Sequence, residues 1–226
     1  VFAGAPSATP GVGADATGNI YLTGVFLSPV AAFGAVNLTN RGGSDAFLLK
    51  YDASGNAQWV RHFVGPKDDR ANGVGLDSAG NAYVAGEFLE TLQMPGTNLV
   101  AGSTNLNLFL ARFGPAGTLD WARQAGGVFR GAASAVTLDR SNQVLVAGYF
   151  AGTAVFGPDS LTSIAGTFDV FLSRLDTNGN FAFAQQAGGS DPGGDIGLAV
   201  AADAAGNALA TGYFKTSGAF GHASAV

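Results

Sequence analysis

Residues 77–88 read DSAGNAYVAGEF, and closely similar stretches begin at Asp15, Asp139 and Asp203. The four aspartates that open these stretches are 62, 62 and 64 residues apart. Trp59, Trp121 and Phe183 keep the same 62-residue step. Self-similarity at a fixed period is the sequence signature of a repeat architecture. The four copies therefore represent either a repeated chemical site or a repeated building block.

The Asp, Gly and Asn of each copy predict a tight turn. An Asp at the first position can accept hydrogen bonds from backbone N–H groups further on, and Gly or Asn at the fourth position takes the left-handed conformation. A calcium loop would need further oxygen ligands at fixed spacing, but Ala, Ser or Thr fill those places. We expect structural turn roles for Asp15, Gly18, Asn19, Asp52, Gly55, Asp77, Gly80, Asn81, Asp139, Asn142, Asp176, Gly179, Asp203, Gly206 and Asn207.

Each unit contains four short segments in which apolar residues alternate with small or polar ones. In the second unit these segments are GVGLD, NAYVAGEF, LFLARF and TLDWARQAG. Alternation with aromatic and β-branched residues indicates strands, whereas frequent Gly argues against helices. Four antiparallel strands repeated in tandem predict an all-β fold, a β-propeller of four-stranded blades. A β-solenoid is the main alternative, but it usually has shorter repeats.

The position of each strand in a blade is also predicted. The first strand of each unit is rich in small residues, which suits the crowded region near a propeller axis. Large aromatic residues on later strands suit the wider gap between blades, and they are Phe47, Trp59, Phe109, Trp121, Phe171 and Phe183.

The motif D-x-x-G-N-x-Y-x-x-G-x-F, with the stretches DAFLLKYDASGNAQWVRHF and GVGLDSAGNAYVAGEF, resembles the bacterial β-propeller repeat family abbreviated SBBP. The longer stretches look like the version found in secreted and cell-surface proteins of the Bacteroidetes. The resemblance implies a propeller within a large exported protein, often one that carries a type IX secretion sorting domain. This family has no established catalytic residues that could be carried over to this chain.

The repeat register divides the chain into units of approximately 11–64, 73–126, 135–188 and an incomplete 197–226. This is about 3.6 units, fewer than most closed propellers contain. We expect a single repeat region that is a segment of a longer protein. The alternative is that separate copies complete each other's blades and form a closed dimer or an open filament.

Composition excludes several classes of function. Of the 226 residues, 47% are hydrophobic and 12% are charged, and the net charge is -5, so a sizeable core but no nucleic-acid-binding or basic membrane-binding surface is expected. No apolar run approaches the roughly 20 residues of a membrane helix. The chain has no Cys, which excludes disulfides and Cys-ligated metals. We expect no metal and no cofactor.

Few residues suggest catalysis. The two histidines, His62 and His222, are isolated, and we expect His62 to occupy an exposed strand position because Gln124 and Gln186 stand in its place elsewhere. The two glutamates, Glu87 and Glu90, could form the carboxylate pair of a glycoside hydrolase. We expect instead a solvated rim, although Glu87 replaces Val or Tyr of the other units and departs from the repeat.

Two further sets of polar and charged residues are candidates for binding or structural roles. The first is a set of loops that could bind ligands, and it contains Asp68, Asp69, Arg70, Asp191 and Asp195. The second is expected to form a girdle of structural hydrogen bonds or ion pairs, with a repeated sugar site as the alternative. Its members are Asp45, Asn107 and Asp169 with Lys50, Arg112 and Arg174 five residues later.

Together these observations predict a non-enzymatic extracellular module of a bacterial secreted or cell-surface protein, with a structural or binding role such as adhesion. Its partners would be other domains of the same polypeptide, other proteins or surface glycans. We expect no nucleic acid and no membrane insertion. A self-assembling filament or ring subunit and a polysaccharide-active enzyme are the alternative functions.

Overall fold

The computed structural model of the protein describes residues 10–101, 106–190, 193–215, 218–220 and 223–225. Regular structure in these ranges consists of twenty β-strands and one short 3-10 helix, Ile164–Gly166. The strand pairs are antiparallel, and most of them join strands that follow each other in the chain, as the repeated turn chemistry requires. The all-β prediction is confirmed.

The first blade is a four-stranded antiparallel sheet with a small hairpin inserted after its second strand. Its strands follow the order β1-β2-β5-β6 from the inside outwards. The insertion joins the second and third strands of the blade and is formed by β3 and β4. The bounds are β1 Val12–Ala14, β2 Ile20–Phe26, β3 Val30–Phe33, β4 Val36–Thr39, β5 Asp45–Tyr51 and β6 Ala57–Phe63.

The second and third blades repeat this plan and share one long strand. β12 pairs with β11 through its first part and with β13 through its second part. It is thus the outer strand of blade two and the inner strand of blade three. The bounds are β7 Asp69–Leu76, β8 Ala82–Leu89, β9 Thr91–Met94, β10 Thr97–Val100, β11 Leu106–Phe113, β12 Leu119–Leu138, β13 Val144–Phe156, β14 Asp159–Thr162, β15 Asp169–Leu175 and β16 Phe181–Gly188.

The fourth unit contributes two longer strands and one hairpin. β17 and β18 form a two-stranded antiparallel sheet, and β19 pairs with both β20 and the outer strand of blade three. The bounds are β17 Ile196–Ala202, β18 Ala208–Tyr213, β19 Gly218–Phe220 and β20 Ala223–Ala225.

Backbone pairing links each blade to the next. The end of an outer strand pairs with the inserted hairpin of the following unit at the same register in every case. These contacts tie the outer rim of successive blades, and they are Val64 with Gln93, Gly126 with Val155, and Gly188 with Ala219.

The anchor aspartates form tight turns. Gly80 N–H donates to the Asp77 carbonyl at 3.0 Å, and Oδ1 of Asp77 accepts from the N–H groups of Ala79 and Asn81 at 3.0 and 2.9 Å. Gly80 has a φ of 79° and Asn142 has a φ of 58°, the left-handed conformation that these residue types tolerate best. The other anchors make the same Oδ1 contacts, at Asp15, Asp52, Asp139, Asp176 and Asp203.

The inner strands pack against one another and require small residues. A Cβ at Gly73 would lie 3.1 Å from the Val136 amide nitrogen and 3.2 Å from the Ala135 Cα. These are backbone atoms, which cannot relieve the clash by rotating away as a flexible side chain could. Two apolar cores lie farther out, between blades one and two and between blades two and three, around buried rings such as Phe109 and Phe171, and a third lies within blade one. Small residues near the axis and large ones outside give the blades their radial packing.

A side-chain clasp strengthens each of the first two blade interfaces. The indole of Trp121 donates to the carbonyl of Thr177 at 3.0 Å, and the guanidinium of Arg123 donates to the carbonyls of Asn178 and Gly179. Arg123 also stacks over the Trp121 ring at 5.6 Å. Trp59 and Arg61 hold the equivalent turn of blade two in the same way.

Candidate functional site

Glu87 stands at a position where the copies of the repeat differ in chemistry. Its counterparts in the other units are Val25, Tyr149 and Tyr213. It lies on the second strand of blade two, directly opposite Arg70 of the inner strand. The register of these two strands shifts between Ala71 and Gly73, which indicates a β-bulge at Asn72. Bulges of this type redirect side chains and are frequent beside functional sites.

Polar groups converge on Glu87. Asn72 Nδ2 donates to Glu87 Oε2 and to the Ala133 carbonyl of the neighbouring blade, the latter at 2.9 Å. Nη1 of Arg70 lies 3.8 Å from Glu87 Oε1. Glu87 is only 5% exposed, whereas Arg70 is partly open to solvent. We call Arg70, Asn72, Glu87, Tyr149 and Tyr213 the axial cluster, since all five lie on inner or second strands.

Burial controls the electrostatics of the axial cluster. Desolvation raises the pKa of Glu87 to about 7, although the charge of Arg70 and the hydrogen bond from Asn72 act in the opposite direction. Burial also raises the pKa of Tyr149, and the nearby charge of Glu87 adds to this effect. Glu87 therefore titrates near neutral pH, so the cluster can exchange a proton or a charge in that range.

Aromatic rings border the axial cluster. Tyr149 makes an edge-to-face contact with Phe168 at 5.3 Å, and the guanidinium of Arg130 lies over the Phe168 ring at 5.6 Å. Tyr213 is 48% exposed. Partly open aromatic faces beside buried polar groups are suited to bind a ligand that has both apolar and hydrogen-bonding surfaces.

The expectation of a solvated glutamate rim is wrong for Glu87 and right for Glu90. Glu90 lies at an exposed position with a φ of 63°, and its carboxylate is 3.7 Å from Lys67 Nζ. Glu87 is buried because both faces of its strand are covered, and all residues from 82 to 88 are buried. The repeat register alone could not reveal this, because Tyr and Val at the same position suit either a buried or an exposed face.

His62 is not at an exposed strand position as predicted. Its ring is half-buried, and its Nε2 lies 2.8 Å from Asp45 Oδ2. Burial lowers the pKa of His62, although the hydrogen bond to Asp45 and the charge of that carboxylate act in the opposite direction. In blade three Gln186 takes this place and donates from Nε2 to Asp169 Oδ2 at 3.4 Å, whereas Gln124 in blade two donates to the carbonyl of Val100. His222 lies outside the described residues.

The predicted ligand-binding loops are largely buried instead. Asp69 and Arg70 belong to the inner strand of blade two, and Asp69 has no exposed surface. Asp195 is also buried, and among the described members of this set only Asp68 is exposed. The sequence could not show this because these residues directly follow a short connection rich in Gly and Pro. Asp191 lies outside the described residues.

Members of the predicted girdle make structural hydrogen bonds and ion pairs, but among the described residues no ion pair joins an acidic member to a basic one. Asp45 contacts His62, whereas Lys50 Nζ donates to the carbonyl of Pro115 at 3.2 Å. Arg112 lies 4.0 Å from Asp77, and Arg174 lies 4.0 Å from Asp139. Residues five positions apart on a strand point to opposite faces, so these acidic and basic side chains cannot meet within one strand.

The fold and its repeat define the class of protein. Successive four-stranded antiparallel blades pack around adjacent inner strands, so this is a β-propeller repeat protein. Comparison with known families places an SBBP-type repeat within it, because residues 58–87 match the family model described as a β-propeller repeat. This is the family that the motif resembles.

A curated relative points to the same fold. An uncharacterised WD repeat-containing protein of Acanthamoeba polyphaga mimivirus is 23% identical over 210 residues. The alignment covers 81% of this chain and 15% of that protein. WD repeats also build propeller blades. Separately, the described residues contain no helix with the length and apolar character needed to cross a membrane.

Sequence reasoning missed Asn72 and Tyr149 as partners of Glu87. The available signal was disagreement between copies, since Ser134 and Leu198 occupy the position of Asn72 in later units. Where a repeat changes chemistry at two positions that face each other, a local site is a natural explanation. Recognising it required the strand register as well as the repeat.

Proposed function

We propose that the protein is a non-enzymatic β-propeller module of a bacterial secreted or cell-surface protein and that its axial cluster binds a polar ligand such as a surface glycan. One observation carries this proposal: buried Glu87 and Asn72, with half-buried Arg70, replace the residues of the other units, and atoms of Arg70 and Asn72 retain unused hydrogen-bonding capacity. Among the described residues, neither Nε of Arg70 nor Oδ1 of Asn72 has a hydrogen-bond partner. Buried polar atoms without partners are costly, and a ligand or water would satisfy them.

A binding role fits this arrangement better than hydrolysis does. Glycoside hydrolases need two carboxyl groups that flank the scissile bond. Glu87 is buried beside Asn72, whereas Glu90 is exposed at a turn beside Lys67. Aromatic rings beside a polar centre provide contact area and orient a bound ligand, and they do so without catalysing a reaction.

A glycan array followed by affinity measurements tests the proposal. Wild-type protein is expected to bind a defined group of glycans, and Arg70→Ala is expected to lower that affinity at least about tenfold, as the loss of one charged hydrogen bond would. Lys67→Ala is the matched control, because Lys67 is an exposed cation outside the cluster. An array without any binding, or an affinity unchanged by Arg70→Ala, would contradict the proposal. Turnover of a bound glycan that is lost in Glu87→Gln would favour the enzyme.

Self-assembly is the second candidate, and exposed apolar residues on the fourth unit favour it. Leu198 and Leu209 are 54% and 56% exposed on the β17–β18 sheet. An uncovered sheet edge or face can pair with a further blade or with another copy of the chain. Light scattering after gel filtration tests this function: a dimer or larger species that Leu209→Lys reduces to monomer supports it, and a wild-type monomer contradicts it.

A further inference from the structure

Two buried carboxylates meet where blade one joins blade two. The N–H of Asp69 donates to the carbonyl of Ser44 at 2.8 Å, which places Asp69 beside Asp45. Both aspartates are completely buried. Oδ2 of Asp45 has two hydrogen-bond donors, since it accepts hydrogen bonds from His62 Nε2 at 2.8 Å and from the Arg41 backbone N–H at 3.0 Å.

The remaining three oxygens of this pair lack donors. Within the described part of the chain, neither oxygen of Asp69 nor Oδ1 of Asp45 has a hydrogen-bond partner, and Asp69 belongs to no ion pair. Burial, and then the charge of Asp45, raises the pKa of Asp69 to about 8. The nearby backbone N–H of Leu89 acts in the opposite direction. An ionised carboxylate in this position requires a positive partner.

The surroundings of Asp69 supply further oxygen atoms. A Cβ at Gly65 would touch both Oδ2 of Asp69 and the carbonyl oxygen of Thr91, so these two oxygens face the same small space. Only glycine leaves that space open. Asp68 is also near, since its charge contributes to the raised pKa of Asp69, and its Oδ1 accepts from the Ser44 hydroxyl at 3.0 Å.

The other blades show that this arrangement is not a requirement of the fold. Gly131 replaces Asp69 at the next interface. At the third interface Asp195 occupies the position, but its two oxygens accept from the backbone N–H groups of Gly189 and Lys215 at 2.8 and 3.2 Å. Asp195 is therefore satisfied by protein donors, whereas Asp69 is not.

We propose that Asp45 and Asp69 form a binding site for a hard divalent cation, for which Ca²⁺ is the best fit. Carboxylates, a backbone carbonyl and water are the ligands that Ca²⁺ takes, in a flexible shell of six to eight oxygens. Mg²⁺ demands a stricter octahedron and loses its water reluctantly. Zn²⁺ prefers Cys and His, but the chain has no Cys and His62 is engaged with Asp45. No three His, Cys, Asp or Glu side chains converge as metal ligands among the described residues, so carbonyls and water would complete the shell.

Calorimetric titration and thermal melting of the whole chain test the site. Ca²⁺ added to EDTA-treated wild-type protein is expected to bind with a stoichiometry of about one and to raise the melting temperature by several degrees. Excess EDTA reverses the shift, and Mg²⁺ binds at least about tenfold more weakly. Asp69→Asn is expected to abolish Ca²⁺ binding. Its metal-free form should melt above the metal-free wild type, because burial no longer opposes the ionisation of a carboxyl group at this position, and this shows that the variant folds.

Asp195→Asn is the matched control, and it should keep the Ca²⁺ response. The proposal is overturned if Ca²⁺ produces neither heat nor a melting shift in the wild type. It is also overturned if Asp69→Asn binds Ca²⁺ as well as the wild type does, or if Mg²⁺ binds as tightly as Ca²⁺. This site is separate from the axial cluster, so its failure would leave the proposed function standing.

Discussion

Replacing Glu87 with Gln should stabilise the protein at alkaline pH and leave its stability unchanged at acid pH. Below its unfolded pKa of 4.5 Glu87 is protonated in both folded and unfolded states. Between 4.5 and about 7 the unfolded chain has released this proton while the folded chain retains it. Stability falls with rising pH in this window because the folded state binds more protons.

The size of the effect follows from the raised pKa. An increase from 4.5 to about 7 corresponds to about 3 kcal/mol of unfolding free energy, lost by about pH 8. Gln has nearly the same shape, can accept the hydrogen bond from Asn72 and carries no charge. The Glu87→Gln variant should therefore exceed the wild type by up to about 3 kcal/mol at about pH 8 and equal it near pH 4.

Urea denaturation followed by tryptophan fluorescence measures this difference. Both proteins are unfolded at several pH values from about 4 to 8, and the difference between their free energies cancels the titration of all other groups. Glu90→Gln is the control, because Glu90 is exposed. Parallel stability curves for wild type and Glu87→Gln would refute the reasoning, since they would show that Glu87 is not held neutral by burial.

Four further changes test the architecture by the same denaturation assay. Arg123→Ala should cost about 2 kcal/mol through loss of its clasp bonds, whereas Gln185→Ala, at the same position of blade three, should cost under about 0.5 kcal/mol. Gly73→Val should cost at least about 2 kcal/mol, because the new side chain meets backbone atoms of the next inner strand; an unchanged midpoint would contradict the inner-strand packing. Asn142→Gly should stabilise by about 0.5 kcal/mol, because glycine accepts a positive φ without strain, and a clear loss would argue against the turn. Asp77→Ala should cost about 2 kcal/mol equally in EDTA and in Ca²⁺; a metal-dependent loss would indicate a calcium loop at this turn.

The fold was predictable because the same local sequence pattern recurs in every unit. The step from Asp77 to Asp139 set the size of the blade, and the alternation within each unit set its four strands. Even the radial order of the strands followed from residue size, since Gly73 and its neighbours could only lie where backbones approach closely. These features depend on short-range chemistry, which neighbouring residues in the sequence reveal.

The side-chain environments were less predictable because they depend on packing between blades. Glu87 was expected at a solvated rim, but both faces of its strand are covered and it lies next to Asn72. His62 was expected to be exposed, but Asp45 of the adjacent strand reaches it across the sheet. Neither contact is local in sequence, so register and bulge positions had to be known before the partners could be named.

We expect the repeated turns to stabilise the fold and the axial cluster to bind the ligand. Comparing one variant of each distinguishes these two roles. Asp139 belongs to a turn that recurs in every unit, whereas Glu87 replaces Val25 or a tyrosine. Changing Asp139 to Asn removes charge from a structural turn. Changing Glu87 to Val restores the residue of the first unit.

The most direct test measures glycan affinity and melting temperature of these two variants together. The account predicts that Asp139→Asn melts below the wild type with unchanged affinity, whereas Glu87→Val keeps or raises the melting temperature and loses at least about tenfold in affinity. The opposite pattern, with binding lost in a folded Asp139→Asn and retained in Glu87→Val, would contradict the claim that the repeated motif builds the blade and the divergent residues bind the ligand.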